Sequence, residues 1–103
     1  MAGAPEVQFS VGDLTARGLR IRFSQAGQGE PLLLVHDLLD SRLSWDPVFL
    51  ALARSFHVIA FDSPGFGESE KPSPLRYRYS FDELAEVIVD VAAAFGFGRV
   101  HIC

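Results

Sequence analysis

Two candidate chemical groups end apolar runs of the chain. His36 ends "LLLVH" and Asp62 ends "HVIAFD", and each run has the unbroken apolar character of a strand that is covered on both faces. His36 therefore closes a strand on the side where open parallel sheets bind their ligands. A lone histidine is more often a hydrogen-bonded structural residue than a catalytic one, so the position alone leaves both roles open.

The segment "PGFGES" (64–69) suggests a phosphate-binding loop at first sight. A G-x-G-x-x-G pattern would need glycine where the chain has Glu70, and no helix is predicted to begin there. No G-K-S/T sequence follows either. A tight Pro-Gly turn is the remaining interpretation, within a long loop over 63–79, and loops of that length in a compact domain are usually functional.

The sequence gives little support for metal or thiol chemistry. Asp37 and Asp40 lie close to His36, but their spacing matches no ligand pattern of a helix or hairpin, so no metal site is predicted. Cys103 is the only cysteine, and no activating base adjoins it in the sequence. It is expected to be a small buried hydrophobic residue.

The composition narrows the classes of partner. The 103 residues have a formal net charge of −4, and their nine Lys and Arg form no basic stripe, which argues against nucleic acid and anionic membrane surfaces. A single cysteine excludes an internal disulfide framework and fits a reducing compartment. The first residues show no signal-peptide pattern, and the apolar runs are too short to span a bilayer. A cytoplasmic location is therefore expected.

The order of elements predicts an α/β fold. Residues 6–11 and 18–26 alternate apolar and polar side chains, so they are expected to pair antiparallel at a sheet edge, with a turn at Gly12–Asp13. Unbroken apolar runs predict covered parallel strands, and helical periodicity predicts the crossovers between them. The predicted order is β-β-β-α-β-α-β in one domain over 1–103, with edge strands in 1–28 and the parallel part in 29–103.

Two helices are predicted from their capping residues. The first covers 45–55, with Asp46 as its N-cap, a proline next, and Ser44 as the alternative cap. The second begins with a capping box at Ser80, where a glutamate follows three residues later. Apolar residues at helical spacing then continue to Gly96, which is a natural C-terminal stop.

Together these segments resemble the N-terminal third of an α/β-hydrolase-fold enzyme. The resemblance covers about 6–103 and rests on "GEPLLLVHDLLDSRLSWDPV" (29–48), "FHVIAFDSPGFGES" (56–69), the capped helix and "RVHIC" (99–103). The family's D-x-P-G-x-G-x-S motif is matched in full by Asp62, Pro64, Gly65, Gly67 and Ser69. Its His-Gly motif is matched only in part, because Asp37 follows His36.

The resemblance implies which catalytic groups lie elsewhere. In the family the strand equivalent to 99–103 leads into the nucleophile elbow, and the acid and the base histidine come later. His36, His57 and His101 all precede the elbow, so none is expected to be the base, and His57 and His101 are interpreted as structural. These residues alone are therefore expected to be inactive, and the exposed strand 99–103 to favour self-association.

The resemblance also implies half of an oxyanion hole. The family's backbone donor carries over to the N–H of Leu38, in the loop His36–Asp37–Leu38. The complete enzyme would hydrolyse an ester, amide, epoxide or carbon–halogen bond of a small molecule, with Ser or Asp as nucleophile and without a metal or organic cofactor. The alternative is a non-catalytic α/β scaffold or interaction domain derived from the same fold.

Asp37 is a departure from the family with consequences for the site. Glycine suits left-handed backbone angles that aspartate tolerates only moderately, and a carboxylate beside a developing oxyanion would oppose it. Asp37 either disturbs the hole in this way, which slightly favours the non-catalytic alternative, or it has a task of its own. Hydrogen-bonding loop amides and meeting a cationic substrate are two such tasks.

Overall fold

The structure, a computed structural model, describes residues 9–103. Residues 6–8 of the predicted first strand lie outside this range. The order of strands and helices is the predicted one, with a short 3-10 helix added before the first α-helix. The elements are β1 (Phe9–Ala16), β2 (Leu19–Ala26), β3 (Glu30–Val35), the 3-10 helix (Arg42–Trp45), α1 (Asp46–Leu52), β4 (Phe56–Phe61), α2 (Phe81–Ala94) and β5 (His101–Ile102).

The five strands form one mixed sheet in the order β1-β2-β4-β3-β5. β1 pairs antiparallel with β2, and β2 pairs antiparallel with β4. β4, β3 and β5 are parallel, which confirms the predicted antiparallel edge pair followed by parallel strands with helical crossovers. The carboxyl ends of β3 and β4 therefore lie at the same edge of the sheet, where their two loops can meet.

The predicted turn at Gly12–Asp13 is wrong. Both residues lie within β1, and Gly12 pairs with Phe23, whose ring would be 2.9 Å from a Cβ at residue 12. The glycine therefore allows a close approach of an aromatic ring and does not reverse the chain. The reversal is at Arg17 and Gly18, which have φ angles of 53° and 74°, as a two-residue type I′ hairpin requires.

The start of the first helix also differs from the prediction of 45–55. α1 begins at Asp46 itself, and the residue before it, Trp45, makes no side-chain capping hydrogen bond. Neither Asp46 nor Ser44 is the N-cap, because the 3-10 helix leads directly into α1. The cap lies upstream at Ser41, whose hydroxyl accepts a hydrogen bond from the N–H two residues on, at 3.2 Å.

The second helix begins and ends as predicted. The hydroxyl of Ser80 accepts a hydrogen bond from the N–H of Glu83 at 3.2 Å, and Gly96 has a φ of +76° just beyond the last turn. The carboxylate of Glu83 does not complete the box. It lies 3.5 Å from the guanidinium of Arg17, so it connects the helix to the β1–β2 hairpin.

Each face of the sheet packs against one helix. On one face, Val87 and Val91 of α2 are fully buried against β2, β3 and β4. On the other, Phe49 of α1 packs against the alternate residues of β3 and β4. β3 and β4 are therefore covered on both faces, as predicted. The run 99–103 is apolar like that of a covered strand, but β5 pairs only with β3 and its residues are exposed, which is the exposed strand expected there.

No helix within residues 9–103 is long and apolar enough to cross a membrane.

Candidate functional site

A cavity of about 550 Å³ lies at the shared carboxyl edge of β3 and β4, beside the N-terminus of α2. The loop after β3 contributes His36, Asp37 and Leu38 to its wall, and the loop after β4 contributes Pro64. The structure therefore brings the predicted oxyanion-hole loop and the start of the D-x-P-G-x-G-x-S motif to one place. The other members of the motif are not among the lining residues: Asp62, Gly65, Gly67 and Ser69.

Asp62 is fully buried and its carboxylate is surrounded by donors. Oδ1 accepts a hydrogen bond from the backbone N–H of Arg42, and Oδ2 accepts one from the guanidinium Nη1 of the same residue, each at 2.6 Å. Oδ2 also accepts the N–H of Glu68 at 2.9 Å. A buried charge needs such a set of partners, because each missing one would leave its desolvation uncompensated.

Arg42 is the cation of this pair, and its side chain is only 6% exposed. Its Nε donates to the hydroxyl of Ser24 and its Nη2 to the carboxylate of Glu68, both at 2.9 Å. Burial alone would lower the pKa of Arg42, but the hydrogen bonds to Glu68 and Asp62 raise it above its usual value. The guanidinium is therefore charged, and it connects β2, the 3-10 helix and the loop after β4.

The two glycines of the motif are required by close contacts. Gly67 has a φ of +53°, and a Cβ there would lie 2.3 Å from the carboxyl carbon of Asp62. Gly65 has a φ of +90°, and a Cβ there would lie 2.5 Å from the ring of Tyr79. The hydroxyl of Ser69 donates a hydrogen bond to the carbonyl of Asp62 and accepts one from the backbone N–H of Arg22 in β2. These contacts thus shape the loop.

His36 is buried, and its ring joins the two loops. The N–H of Ser63 donates to Nε2 at 3.0 Å, so Nε2 has no proton. Nδ1 therefore has the proton and donates a hydrogen bond to the carbonyl of Asp37 at 2.8 Å. The imidazole is neutral in this arrangement, and both of its nitrogens are occupied by the protein. Ser63 directly follows Asp62 in the chain. The hydrogen bonds that hold Asp62 therefore also place the N–H that the His36 ring accepts.

The carbonyl of Asp37 is fixed from two sides. Besides Nδ1 of His36, it accepts the N–H of Asp40 at 3.1 Å, which closes a turn over 37–40. The peptide is trans, so the N–H of Leu38 points in the opposite direction from this carbonyl. Within residues 9–103 that N–H has no hydrogen-bond acceptor. It is a donor of fixed direction, and it belongs to a residue that lines the cavity.

The left-handed residue of this turn is Leu39, with a φ of +64°, and not Asp37. Leu39 thus takes the third position of a type II turn, which glycine normally occupies. The expected backbone strain at Asp37 is wrong, since its φ is not positive. Nor does Asp37 hydrogen-bond loop amides through its carboxylate. Asp40 does so, accepting the N–H of Ser41 at 2.9 Å.

The other two histidines have structural surroundings. His57 shares a hydrogen bond of 2.8 Å with the side chain of Gln25, and burial lowers its pKa. His101 is exposed and lies 2.7 Å from the carboxylate of Glu30. Cys103 is exposed, so its predicted burial is wrong. In the part of the chain that the structure describes, no three His, Cys, Asp or Glu side chains are placed to hold a metal ion.

Sequence reasoning missed Arg42 and the aromatic residues of the cavity. Arg42 lies 20 residues before its partner Asp62, and no local pattern relates the two. The aromatic residues stand in the loop 63–79 and at the start of α2, where composition alone predicts exposure. The hydroxyl of Tyr79 donates a hydrogen bond to the carbonyl of Pro72, and its ring lies against Gly65, so this loop packs on itself.

We expect Arg42→Met to cost about 3–5 kcal/mol of unfolding free energy, because it leaves the Asp62 carboxylate buried without its cation. Glu68→Gln is the matched control. It removes the outer partner of the same guanidinium, whose carboxylate is 60% exposed, and should cost at most about 1 kcal/mol. Urea denaturation of both variants measures the difference. Equal costs for the two would contradict the role given to Asp62.

Leu39→Gly and Asp37→Gly form a second pair, since both side chains are exposed. Leu39→Gly relieves the strain of a left-handed conformation, and this relief offsets the unfolded-state entropy that glycine adds. The free energy of unfolding should therefore stay level or rise by up to about 1 kcal/mol. Asp37→Gly has no such relief and should cost about 0.5–1 kcal/mol. Thermal melts of both variants decide this. An equal loss in each would mean that Leu39 is unstrained.

Comparisons with known proteins agree on one family. Residues 30–103 match the family described as alpha/beta hydrolase fold. The chain is 36% identical over 87 residues to the soluble epoxide hydrolase of Corynebacterium sp. (strain C12), covering 82% of this chain and 29% of that protein. It is 34% identical over 93 residues to the 2-hydroxy-6-oxo-6-(2'-aminophenyl)hexa-2,4-dienoic acid hydrolase of Metapseudomonas resinovorans, covering 86% of this chain and 31% of that protein.

Solved structures give the same result. The epoxide hydrolase CorEH without ligand is similar with a TM-score of 0.85 and 30% identity, over 92% of this chain and 32% of that one. A putative acyltransferase from Salmonella enterica has a TM-score of 0.85 and 34% identity, over 91% of this chain and 32% of that one. The chain thus spans less than a third of the length of these relatives. With its sheet, its motif and its cavity, the chain belongs to the α/β-hydrolase fold family.

Proposed function

We propose that this chain supplies the oxyanion-hole loop, and the sheet that holds it, to a hydrolase acting on small molecules. The observation that supports this most is the peptide between Asp37 and Leu38. Its carbonyl is held by two hydrogen bonds, and its N–H is free at the wall of the cavity. A fixed donor with no partner in the described residues is what a developing oxyanion needs.

The chemistry proposed for this donor is stabilisation of negative charge during acyl transfer. When a nucleophile attacks a carbonyl carbon, the electron pair of the C=O bond moves to the oxygen. The N–H of Leu38 donates a hydrogen bond to that oxygen. Because the donor is already oriented, it needs no reorganisation, and donors of this kind are worth roughly 3–4 kcal/mol each.

The nucleophile, the acid and the base are proposed to lie in sequence beyond Cys103, in the family's order. His36 does not suit the role of base, because its Nε2 accepts the N–H of Ser63 and its Nδ1 donates to a carbonyl. The 103 residues alone are therefore proposed to be inactive. Ser and Asp chemistry both remain open, as do ester, amide, epoxide and carbon–halogen bonds, and neither a metal nor an organic cofactor is invoked.

Charge and cysteine content support the remaining proposals about partners. The formal net charge of −4 favours a small-molecule substrate over nucleic acid or an anionic membrane. The single cysteine fits the reducing cytoplasm. Self-association through β5 is proposed for the isolated chain, because that strand has one unpaired edge and exposed side chains.

The alternative proposal is a non-catalytic α/β scaffold or interaction domain. The observation that favours it is the carboxylate of Asp37, one residue before the free N–H of Leu38, where it would oppose an oxyanion.

The two proposals differ in the consequence of deleting one N–H. Leu38 is the second residue of the turn over 37–40, a position that proline favours in type II turns. Leu38→Pro in the full-length protein therefore removes the donor without opening the turn. We expect kcat on ester substrates to fall roughly 100- to 1,000-fold.

Leu38→Ala is the control, because it also removes the leucine side chain but keeps the N–H. It should retain kcat within about threefold of the parent, since the family's interaction at this position is made by the backbone. Equal values of kcat for the two variants would rule out the donor role. No ester, epoxide or haloalkane turnover by the full-length parent protein would support the non-catalytic alternative.

A further inference from the structure

The wall of the cavity is aromatic and has one formal charge. Asp37 is the charged residue among those that line it in the described chain, since His36 is held neutral by its two hydrogen bonds. Four aromatic rings stand in the same wall: Phe66, Tyr77, Tyr79 and Phe81. Phe81 is 90% exposed, so little of its ring is packed against the described residues.

The carboxylate of Asp37 has no hydrogen bond or ion pair within residues 9–103, in contrast to those of Asp40, Asp62 and Asp90. Asp62 has Arg42, Asp90 accepts the N–H of Arg17, and Asp40 accepts a loop amide. Hydrogen-bonding of loop amides is therefore not the task of Asp37. An exposed carboxylate on a cavity wall, without a cation of its own, is available to an external one.

The N-terminus of α2 also lies at this cavity, since Ser80 and Phe81 are among the residues that line it. The partial positive charge at this helix end is already compensated. The hydroxyl of Ser80 accepts the N–H of Glu83, and two acidic residues, Asp82 and Glu83, occupy the first turn. The helix therefore does not neutralise Asp37. The lining of the cavity thus combines one carboxylate with four aromatic side chains.

We propose that this cavity selects substrates with a cationic head group of the alkylammonium type. The carboxylate of Asp37 attracts the charge, and the aromatic rings bind the apolar surface of the head group through cation–π contacts. This inference rests on the proposed function, because it assigns a substrate class to the same cavity. A cation beside Asp37 would also offset the repulsion between that carboxylate and an oxyanion at Leu38.

Three small probes of similar shape and different charge test the proposal by equilibrium binding, without turnover. They are choline, neohexyl alcohol, in which a tert-butyl group replaces the trimethylammonium group, and the anion tert-butylacetate. Ligand titrations followed by NMR on the full-length protein give the three dissociation constants. We expect choline to bind roughly tenfold more tightly than the neutral alcohol, and the anion to bind most weakly.

Asp37→Asn should abolish the preference for choline over neohexyl alcohol, leaving the two within about twofold, because only the charge is removed. Asp40→Asn is the matched control. It makes the same change in net charge three residues away, off the cavity wall, and should leave the choline preference as in the parent. Phe81→Leu should weaken choline more than the alcohol.

The proposal is wrong if the parent protein binds neohexyl alcohol as tightly as choline, or if the choline preference survives Asp37→Asn. Circular dichroism and melting temperature establish that each variant is folded, which the exposure of Asp37 leads us to expect. Charge-selective binding without turnover of any ester, amide, epoxide or haloalkane would refute the proposed function, and the cavity would then be a binding site for a cationic ligand that is not a substrate. Turnover without charge-selective binding would refute this inference and support the proposed function.

Discussion

The geometry of the site depends on one buried carboxylate, that of Asp62. Its negative charge is out of contact with water, so the protein must surround it with donors or leave it unstable. Arg42 meets this requirement with both its guanidinium and its backbone N–H, and the N–H of Glu68 completes the set. These hydrogen bonds fix the 3-10 helix against the end of β4. They also explain why Gly67 has no side chain, since a Cβ would overlap the carboxylate.

Asp62 is connected to the cavity by one chain neighbour and two hydrogen bonds. The next residue, Ser63, donates its N–H to His36, and His36 donates to the carbonyl of Asp37. The direction of the Leu38 N–H follows from that carbonyl. Four residues thus connect a structural charge to a free donor, and His36 acts as a positioning residue between two loops. A neutral imidazole suits this task because it donates at one nitrogen and accepts at the other.

Local patterns predicted most of the elements, because periodicity and capping act over a few residues. The Ser80 cap and the Gly96 stop were confirmed for that reason. Predictions that depended on contacts between distant residues were less successful. Gly12 suggests a turn by its type, but pairing with β2 keeps it within a strand.

For the candidate site too, local patterns predicted some features and missed those that depend on distant residues. The spacing of the motif gave its residues and their common edge of the sheet, but no pattern relates Asp62 to Arg42, which precedes it by 20 residues. The positive φ at Leu39 was also out of reach, since residue type alone placed it at Asp37. The first is a contact between residues distant in the chain, and the second is a turn whose carbonyl also contacts the ring of His36.

The most direct test of this account is the protonation state of His36, read from the ¹⁵N resonances of its imidazole in the folded full-length protein. The account predicts a neutral ring with the proton on Nδ1 and an unprotonated Nε2 that shows coupling to the N–H of Ser63. A proton on Nε2, or on both nitrogens, would contradict it, because the ring could not then accept that N–H and the two loops would not be joined.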